Sequence, residues 1–90
     1  MIVERELHIL NKMGLHARPA AEFVRCVRSF KSTVTIRKGN EEFSGSSILE
    51  VLMANLDCGS VILLVAEGPD AELALDKLAA LLHEFKLQEG

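Results

Sequence analysis

Apolar and polar residues alternate along the first segment of the chain. Between Val3 and Ile9, apolar residues occupy every second position except Arg5, and acidic residues and a histidine fill the positions between. Successive side chains of a strand point to opposite faces, so this spacing predicts a strand with one face buried.

The apolar spacing lengthens to a helical period between His16 and Phe30. One side carries apolar residues, and the opposite side carries charged residues and a serine. This pattern predicts an amphipathic helix that packs on an apolar layer. The apolar side is formed by Ala20, Phe23, Val24, Val27 and Phe30.

A second alternating segment covers residues 33–38, with Val34 and Ile36 on the inward side. The residues KGNE at 38–41 are typical of a turn, and a short segment with Phe43 follows them. We therefore predict a hairpin of two strands.

A short helix is predicted after Gly45, in the segment SSILEVLMANL. Ser47 and Glu50 match the capping box, in which the serine oxygen binds an amide of the first turn and the glutamate binds the amide of the serine. Asn55 can end the helix in a left-handed conformation, which leaves about two helical turns.

Two further elements complete the chain. Residues 60–66 (SVILLVA) are nearly all apolar, which favours a central strand over an edge strand. The segment from Asp70 to Phe85 has leucines at helical spacing, and Asp70 is the expected cap. These leucines are Leu73, Leu75, Leu78, Leu81 and Leu82.

The predicted order of elements is β-α-β-β-α-β-α. With one hairpin, and with helices that must cover apolar strand faces, the economical arrangement is one four-stranded antiparallel sheet with three helices on one face. The predicted fold class is α+β, an open-faced two-layer sandwich. Ninety residues with 49% apolar content suit a single domain over residues 1–90.

Composition and charge exclude several classes of function. The formal net charge of −3 and the absence of Trp and Tyr argue against nucleic-acid binding, which usually needs a basic surface and, for single strands, exposed aromatic rings. The first ten residues, MIVERELHIL, contain no long apolar run, so we expect no signal sequence, no membrane span and a cytoplasmic protein.

The two cysteines, Cys26 and Cys58, lie far apart and outside any CxxC or Cys/His cluster. This spacing favours neither a zinc site nor a disulfide framework, and we expect reduced, largely packed thiols. His8 and His83 have no motif around them and are expected at the surface. The residues indicate no metal and no cofactor.

The segment GLHARPAAEFV, residues 14–24, places an imidazole and a guanidinium where the first helix begins. Pro19 suits the first turn, where its missing N–H removes no hydrogen bond, so His16 is the predicted N-cap. Free amides and the helix dipole stabilise an anion at this point. Arg18 can add a charge-assisted hydrogen bond to phosphoryl oxygens, and Gly14 is expected to leave room for a phosphoryl donor.

A histidine before a helix is more commonly an ordinary surface residue, and Arg18 can be a solvated charge, so the pattern leaves that interpretation open. No second base, carboxylate partner or metal ligand lies nearby in the sequence. This absence disfavours a hydrolase or a metalloenzyme. The residues suit the carrying of a group better than the cutting of a bond.

The segment NKMGLHARPAAEFV, residues 11–24, strongly resembles the active-site segment of HPr, the histidine-containing phosphocarrier of the bacterial phosphotransferase system, and is most similar to nitrogen-related HPr proteins. The resemblance continues without a gap from Ser47 to Gly59, where the family has a regulatory serine, an apolar helix and a glycine before the last strand. It implies a fold of four antiparallel strands covered by three helices.

By motif match, the resemblance implies that His16 accepts a phosphoryl group on Nδ1 from Enzyme I, which takes it from phosphoenolpyruvate, and passes it to an Enzyme IIA protein. It implies that Arg18 and the backbone amides of Ala17 and Arg18 stabilise the phosphate. Partners then supply most of the catalysis, so we expect a carrier rather than an enzyme, and a monomer. Relays for sugar uptake and for nitrogen regulation both stay open.

The resemblance also implies a docking surface beside the histidine. In the short helix, Val51 and Leu56 can face the core, which leaves neighbouring apolar residues outside. The alternative is that these residues cover the core of a small domain. The expected docking residues are Ile48, Leu49, Leu52, Ala17 and Ala21.

Ser47 matches the residue that HPr kinase phosphorylates in some lineages, where the added charge weakens docking to Enzyme I. The capping box explains the same serine structurally, and the Glu50 carboxylate disfavours a phosphoserine by like-charge repulsion. A regulatory binding module of the same fold, controlled at Ser47, is the alternative function. The presence of His16 together with Arg18 favours the carrier.

Overall fold

Strands and helices follow one another in the predicted order. The computed structural model describes residues 1–89, and none of the helices in this part of the chain is long and apolar enough to cross a membrane. The elements are β1 (Ile2–His8), α1 (Ala17–Arg28), β2 (Thr33–Lys38), β3 (Glu41–Ser44), α2 (Ile48–Met53), β4 (Val61–Glu67) and α3 (Ala71–Gln88).

The four strands form one antiparallel sheet in the order β1-β4-β2-β3. Strand β4 lies between β1 and β2, which confirms the central position predicted from its apolar sequence. Strands β2 and β3 form the predicted hairpin, with Gly39 in the turn at a φ of +60°. The three helices cover one face of the sheet, so the prediction of an open-faced α+β sandwich is confirmed.

The core lies between the sheet and the helices. Ile36, Ile62 and Leu64 occupy inward positions of their strands and are fully buried, in one cluster with Phe23 of α1 and Leu75 of α3. Burial of each such side chain contributes about 1.5–3 kcal/mol. The two apolar periods in the sequence therefore determine which face of each element turns inward.

Two departures from the apolar pattern have a structural cause. Arg5 takes an inward position on the edge strand β1, where its Nη1 lies 2.7 Å from Oδ1 of Asp76 in α3. Leu73 is 53% exposed, although its spacing in the sequence groups it with the other leucines of α3. Leu73 lies two positions, or about 200° of helical rotation, from each of the buried residues Ala71 and Leu75. Its side chain is therefore on the opposite face of α3.

Asp70 is the N-cap residue of α3, as predicted, but its side chain makes no capping hydrogen bond. Its carboxylate accepts hydrogen bonds from the Ser32 hydroxyl at 2.6 Å and from the amides of Lys31 and Ser32 at 2.9 Å. These bonds, the one from the hydroxyl foremost, lower the pKa of the Asp70 carboxyl. The carboxylate thus ties the connection between α1 and β2 to the start of α3.

Candidate functional site

His16 is the N-cap residue of α1, as predicted. Its backbone is extended, with φ −79° and ψ −166°, and its carbonyl accepts the first helical hydrogen bond from the Ala20 amide at 2.8 Å. The side chain is exposed, and Nδ1 lies 3.4 Å from the Gly14 carbonyl oxygen. Since N–H···O hydrogen bonds usually measure about 2.7–3.2 Å, the ring is weakly held and open to an approaching molecule.

Two backbone amides are free at this helix start. The amides of Ala17 and Arg18 have no backbone acceptor within residues 1–89, and Pro19 has no N–H. Amides of the first turn carry the positive end of the helix dipole and bind anions. The start of α1 therefore offers two hydrogen-bond donors beside the imidazole.

Arg18 adds a cation to the same place. Its exposed side chain forms no ion pair within the described chain, and it lines a shallow cleft of about 160 Å³ together with His16. A guanidinium in this position can donate charge-assisted hydrogen bonds to phosphate oxygens. The structure thus brings together the three residues that the sequence predicts at the site, His16, Ala17 and Arg18.

The loop before the histidine is fixed by buried contacts. The side-chain amide of Asn11, 3% exposed, donates to the Gly14 carbonyl at 2.6 Å, and the Leu15 amide donates to the Leu56 carbonyl at 2.9 Å. Gly14 has a φ of +63°, and a Cβ there would overlap the Leu56 carbonyl oxygen. The expectation that Gly14 leaves room for a donor is wrong, because the glycine is buried against the backbone of Leu56.

One wall of the cleft comes from the end of α3. Phe85, Gln88 and Glu89 line it, and the Glu89 carboxylate accepts two hydrogen bonds from the Lys12 amide, at 2.7 and 2.9 Å. The sequence motif gives no signal for this wall. Glu89 lies 77 positions from Lys12 in the chain, and only the packing of α3 brings the two together.

An apolar surface on α2 lies beside α1. Ile48, Leu49 and Leu52 are 38%, 65% and 41% exposed, whereas Val51 and Leu56 are buried as predicted. The exposure of the first three side chains speaks against the alternative that they only cover the core. Contiguous exposed apolar side chains of this kind commonly mark an interaction site.

A groove of about 340 Å³ runs between the two helices, with Ala21 and Ile48 on its walls and Arg25 and Arg28 beside them. Ala17 lies one helical turn before Ala21 and on the same face of α1. The two arginines were not among the predicted docking residues, because the apolar pattern gives no weight to charged positions.

Ser47 is the N-cap residue of α2. Its hydroxyl oxygen accepts a hydrogen bond from the Glu50 amide at 3.2 Å, which confirms one half of the capping box. The other half is wrong, because the Glu50 carboxylate binds the Ser44 amide at 2.9 Å instead of the Ser47 amide. After α2, Asn55 adopts the predicted left-handed conformation, with a φ of +50°.

The two cysteines differ in environment. Cys58 is exposed in the connection between α2 and β4, which corrects the expectation that both thiols are packed. Cys26 is half-buried, and this burial raises the pKa of its thiol, with a partly offsetting effect of Lys77. His8 and His83 are exposed, as predicted. Within residues 1–89, no three His, Cys, Asp or Glu side chains are grouped so as to hold a metal ion.

Comparison with known proteins adds an independent observation. The family model PTS-HPr, described as the PTS HPr component phosphorylation site, matches residues 3–84. The chain is 36% identical to the phosphocarrier protein HPr of Borreliella burgdorferi, over 94% of this chain and 99% of the relative. It is 39% identical to the phosphocarrier protein NPr of Shewanella violacea, over 89% of this chain and 88% of the relative.

Solved structures agree with the sequence matches. The crystal structure of a phosphocarrier protein HPr from Bacillus anthracis superposes with a TM-score of 0.85 at 36% identity, covering 89% of this chain and 95% of that one. An HPr dimer from Thermoanaerobacter tengcongensis superposes with a TM-score of 0.74 at 39% identity, covering 88% and 92%. On both sequence and fold, the chain belongs to the HPr family, the phosphocarrier proteins of the phosphotransferase system.

Proposed function

We propose that this chain is a monomeric cytoplasmic carrier that accepts a phosphoryl group on His16 from Enzyme I and passes it to an Enzyme IIA protein. The observation that supports this most directly is the start of α1, where an exposed imidazole, two free amides and a guanidinium come from three consecutive residues. A phosphoryl group carries a charge of about −1.5 to −2 at neutral pH. The amides of Ala17 and Arg18 and the guanidinium stabilise that charge.

Each transfer is a displacement at phosphorus. A nitrogen lone pair of His16 forms the new N–P bond, while the bond from phosphorus to the donor breaks and its electron pair stays with the donor. The family resemblance implies Nδ1 as the attacking atom. Nδ1 lies 3.4 Å from the Gly14 carbonyl oxygen, and this contact is favourable only when Nδ1 carries the ring proton. Attack therefore needs the proton on Nε2 and Nδ1 turned away from that oxygen, and a contact of this length offers little resistance.

The direct test is incubation with phosphoenolpyruvate and Enzyme I, of the sugar-uptake and the nitrogen-regulatory type in separate reactions, followed by intact-mass measurement. We expect a single phosphoryl adduct with one of the two, lost on brief treatment with acid because the N–P bond is acid-labile. An acid-stable adduct, or no adduct with either Enzyme I, would contradict the proposal.

Replacement of Arg18 by alanine is expected to slow phosphoryl transfer from Enzyme I by about 10- to 100-fold. A hydrogen bond to a charged group contributes about 1.5–3 kcal/mol, and about 1.4 kcal/mol corresponds to tenfold in rate. Lysine at this position restores only part of the rate, because an ammonium lacks the planar fork of donors. Rapid-quench measurement of adduct formation gives the rate constants.

The matched control for Arg18 is Arg37→Ala, which breaks only an exposed pair with Glu42 on the sheet, 2.7 Å between Nε and Oε2. Exposed pairs of this kind contribute about 0–1 kcal/mol. The control should therefore accept the phosphoryl group at the wild-type rate. Equal rates for Arg18→Ala and the control would exclude a role of Arg18 in transfer.

Replacement of Leu49 by glutamate is expected to raise the KM of Enzyme I for this protein about tenfold or more, with little change in kcat. The new charge is solvated in the free protein, because Leu49 is 65% exposed, but it is desolvated without a partner in a complex that covers α2. Leu73→Glu on α3, where the leucine is 53% exposed, is the control. The same KM for both variants would remove this surface from the docking site.

Regulation by phosphorylation at Ser47 stays a prediction, as does the alternative function that depends on it. The hydroxyl is engaged by the Glu50 amide, and the Glu50 carboxylate lies close by on the Ser44 amide. A phosphate on Ser47 meets the like charge of the Glu50 carboxylate. Incubation with HPr kinase and ATP decides: an acid-stable adduct absent from Ser47→Ala supports regulation, and no adduct leaves the serine as a cap alone.

A further inference from the structure

Glu89 is the only acidic residue that lines the cleft of His16 and Arg18 within residues 1–89. It is the C-cap residue of α3, its side chain is 23% exposed, and both carboxylate oxygens accept hydrogen bonds from the Lys12 amide. The ammonium group of Lys86 lies 4.0 Å from one of these oxygens. The carboxylate is thus held in place by one amide and one distant cation.

The position of Glu89 is electrostatically unfavourable for its own helix. The carboxyl end of a helix carries partial negative charge, so cations stabilise this end and anions do not. Arg18 and the end of α3 with its carboxylate line the same cleft, and the free amides of the helix start belong to the residues that follow His16. His16 lines the cleft as well, so a phosphoryl group that it carries there meets both the guanidinium and the carboxylate.

We propose that the Glu89 carboxylate repels a phosphoryl group on His16 and so raises the tendency of that group to leave. This inference rests on the proposed function, because it concerns the phosphorylated state of the same site. Arg18 and the helix amides hold the group, whereas Glu89 limits how tightly it is held. A carrier needs both effects, since a group bound too firmly is not passed on.

Repulsion favours loss of the group because the negative charge leaves the cleft in the products. In hydrolysis, a water oxygen forms a bond to phosphorus while the N–P bond breaks. The electron pair of that bond and a proton go to the ring nitrogen, and inorganic phosphate departs. In transfer to a partner, the nucleophile of the partner replaces the water. A neutral side chain in place of Glu89 therefore lengthens the lifetime of the phosphorylated state.

The test compares Glu89→Gln with the wild type in one reaction. Equal amounts of ¹⁵N-labelled wild type and unlabelled variant are equilibrated with a trace of Enzyme I and limiting phosphoenolpyruvate, and intact masses give the share of phosphoryl groups on each. We expect the variant to hold about two- to fivefold more phosphoryl groups than the wild type. This ratio corresponds to the free energy of an interaction between exposed charges. After removal of Enzyme I, hydrolysis of the variant should be slower by a similar factor.

Glu84→Gln is the control, because Glu84 is an exposed acid on α3 that lines a different groove. It should share the phosphoryl groups equally with the wild type.

Measurements at two salt concentrations distinguish the effect of the Glu89 charge from the effect of its hydrogen bond to the Lys12 amide. The Debye length falls from about 8 Å at physiological ionic strength to about 3 Å at 1 M, so an effect of charge shrinks towards an equal share in 1 M salt.

An equal share for Glu89→Gln at low salt overturns the inference, and so does an excess that salt leaves unchanged. Failure of the proposed function has a different signature. If the wild type takes up no phosphoryl group, or carries it on a residue other than His16, the carrier proposal fails and this inference falls with it. If the wild type is phosphorylated on His16 and the variant shares equally, only the role of Glu89 is lost.

Discussion

Alanine in place of His16 is expected to abolish phosphoryl transfer and to leave the fold intact. In the proposed function the ring supplies the nucleophile at the start of α1, and its one hydrogen-bond contact is 3.4 Å long. Removal of an exposed side chain with so little contact changes the free energy of unfolding by about 0.5 kcal/mol or less. Intact-mass measurement after incubation with Enzyme I and phosphoenolpyruvate should show no adduct, and denaturant unfolding should match the wild type.

The matched controls for His16 are His8→Ala and His83→Ala, which remove the other two histidines, both exposed, on β1 and α3. Each should form the adduct as the wild type does. An acid-labile adduct that persists in His16→Ala would put the chemistry on another residue, and loss of the adduct in either control would show that His16 does not act alone.

Alanine at Gly14 is expected to lower the free energy of unfolding by about 2–5 kcal/mol. A residue with a Cβ pays about 1–2 kcal/mol at a φ of +63°. The Cβ also overlaps the Leu56 carbonyl oxygen, and a forced shift of a packed backbone costs about 1–3 kcal/mol. Denaturant unfolding followed by circular dichroism measures the loss.

Gly39→Ala provides a close control for the Gly14 variant. Gly39 has almost the same φ, +60°, but a Cβ built there meets no heavy atom within 4 Å beyond the adjacent residues of the chain. Its replacement therefore carries only the conformational cost, about 1–2 kcal/mol. Similar losses for the two variants would show that the loop before His16 is not tightly packed against Leu56.

The architecture could be predicted because it depends on local periods. A period of two gave β1 and β2, a helical period gave α1 and α3, and the unbroken apolar run at 60–66 gave the central strand β4. Each period indicates which side of an element must be buried, and one sheet with helices on one face buries all of these sides.

Side-chain partners distant in the chain could not be predicted. The Asp70 carboxylate accepts hydrogen bonds from residues 31 and 32 instead of capping its own helix. Arg5 of β1 forms an ion pair with Asp76 of α3. Capping rules consider only residues within one turn of the helix end. They therefore miss a carboxylate that accepts hydrogen bonds from a loop distant in the sequence. The exposure of Cys58 has the same origin, since it depends on where a connection runs.

In the candidate site, too, the sequence predicts the contacts within one segment and not those between distant segments. His16, Ala17 and Arg18 are consecutive at a helix start, so the sequence alone predicts that the imidazole, the amides and the guanidinium lie together. Glu89 enters the site only because α3 ends beside the loop of Lys12. No periodic pattern states where the last turn of a helix meets a loop at the other end of the chain.

The amide signals of Ala17 and Arg18 provide the most direct test that the start of α1 holds the phosphoryl group. They can be followed by ¹H–¹⁵N correlation spectra before and after phosphorylation with Enzyme I and phosphoenolpyruvate. We predict that these two amide protons show the largest downfield shifts in the chain, because each gains a hydrogen bond to a charged oxygen. A fully phosphorylated protein in which both signals stay in place would contradict the account.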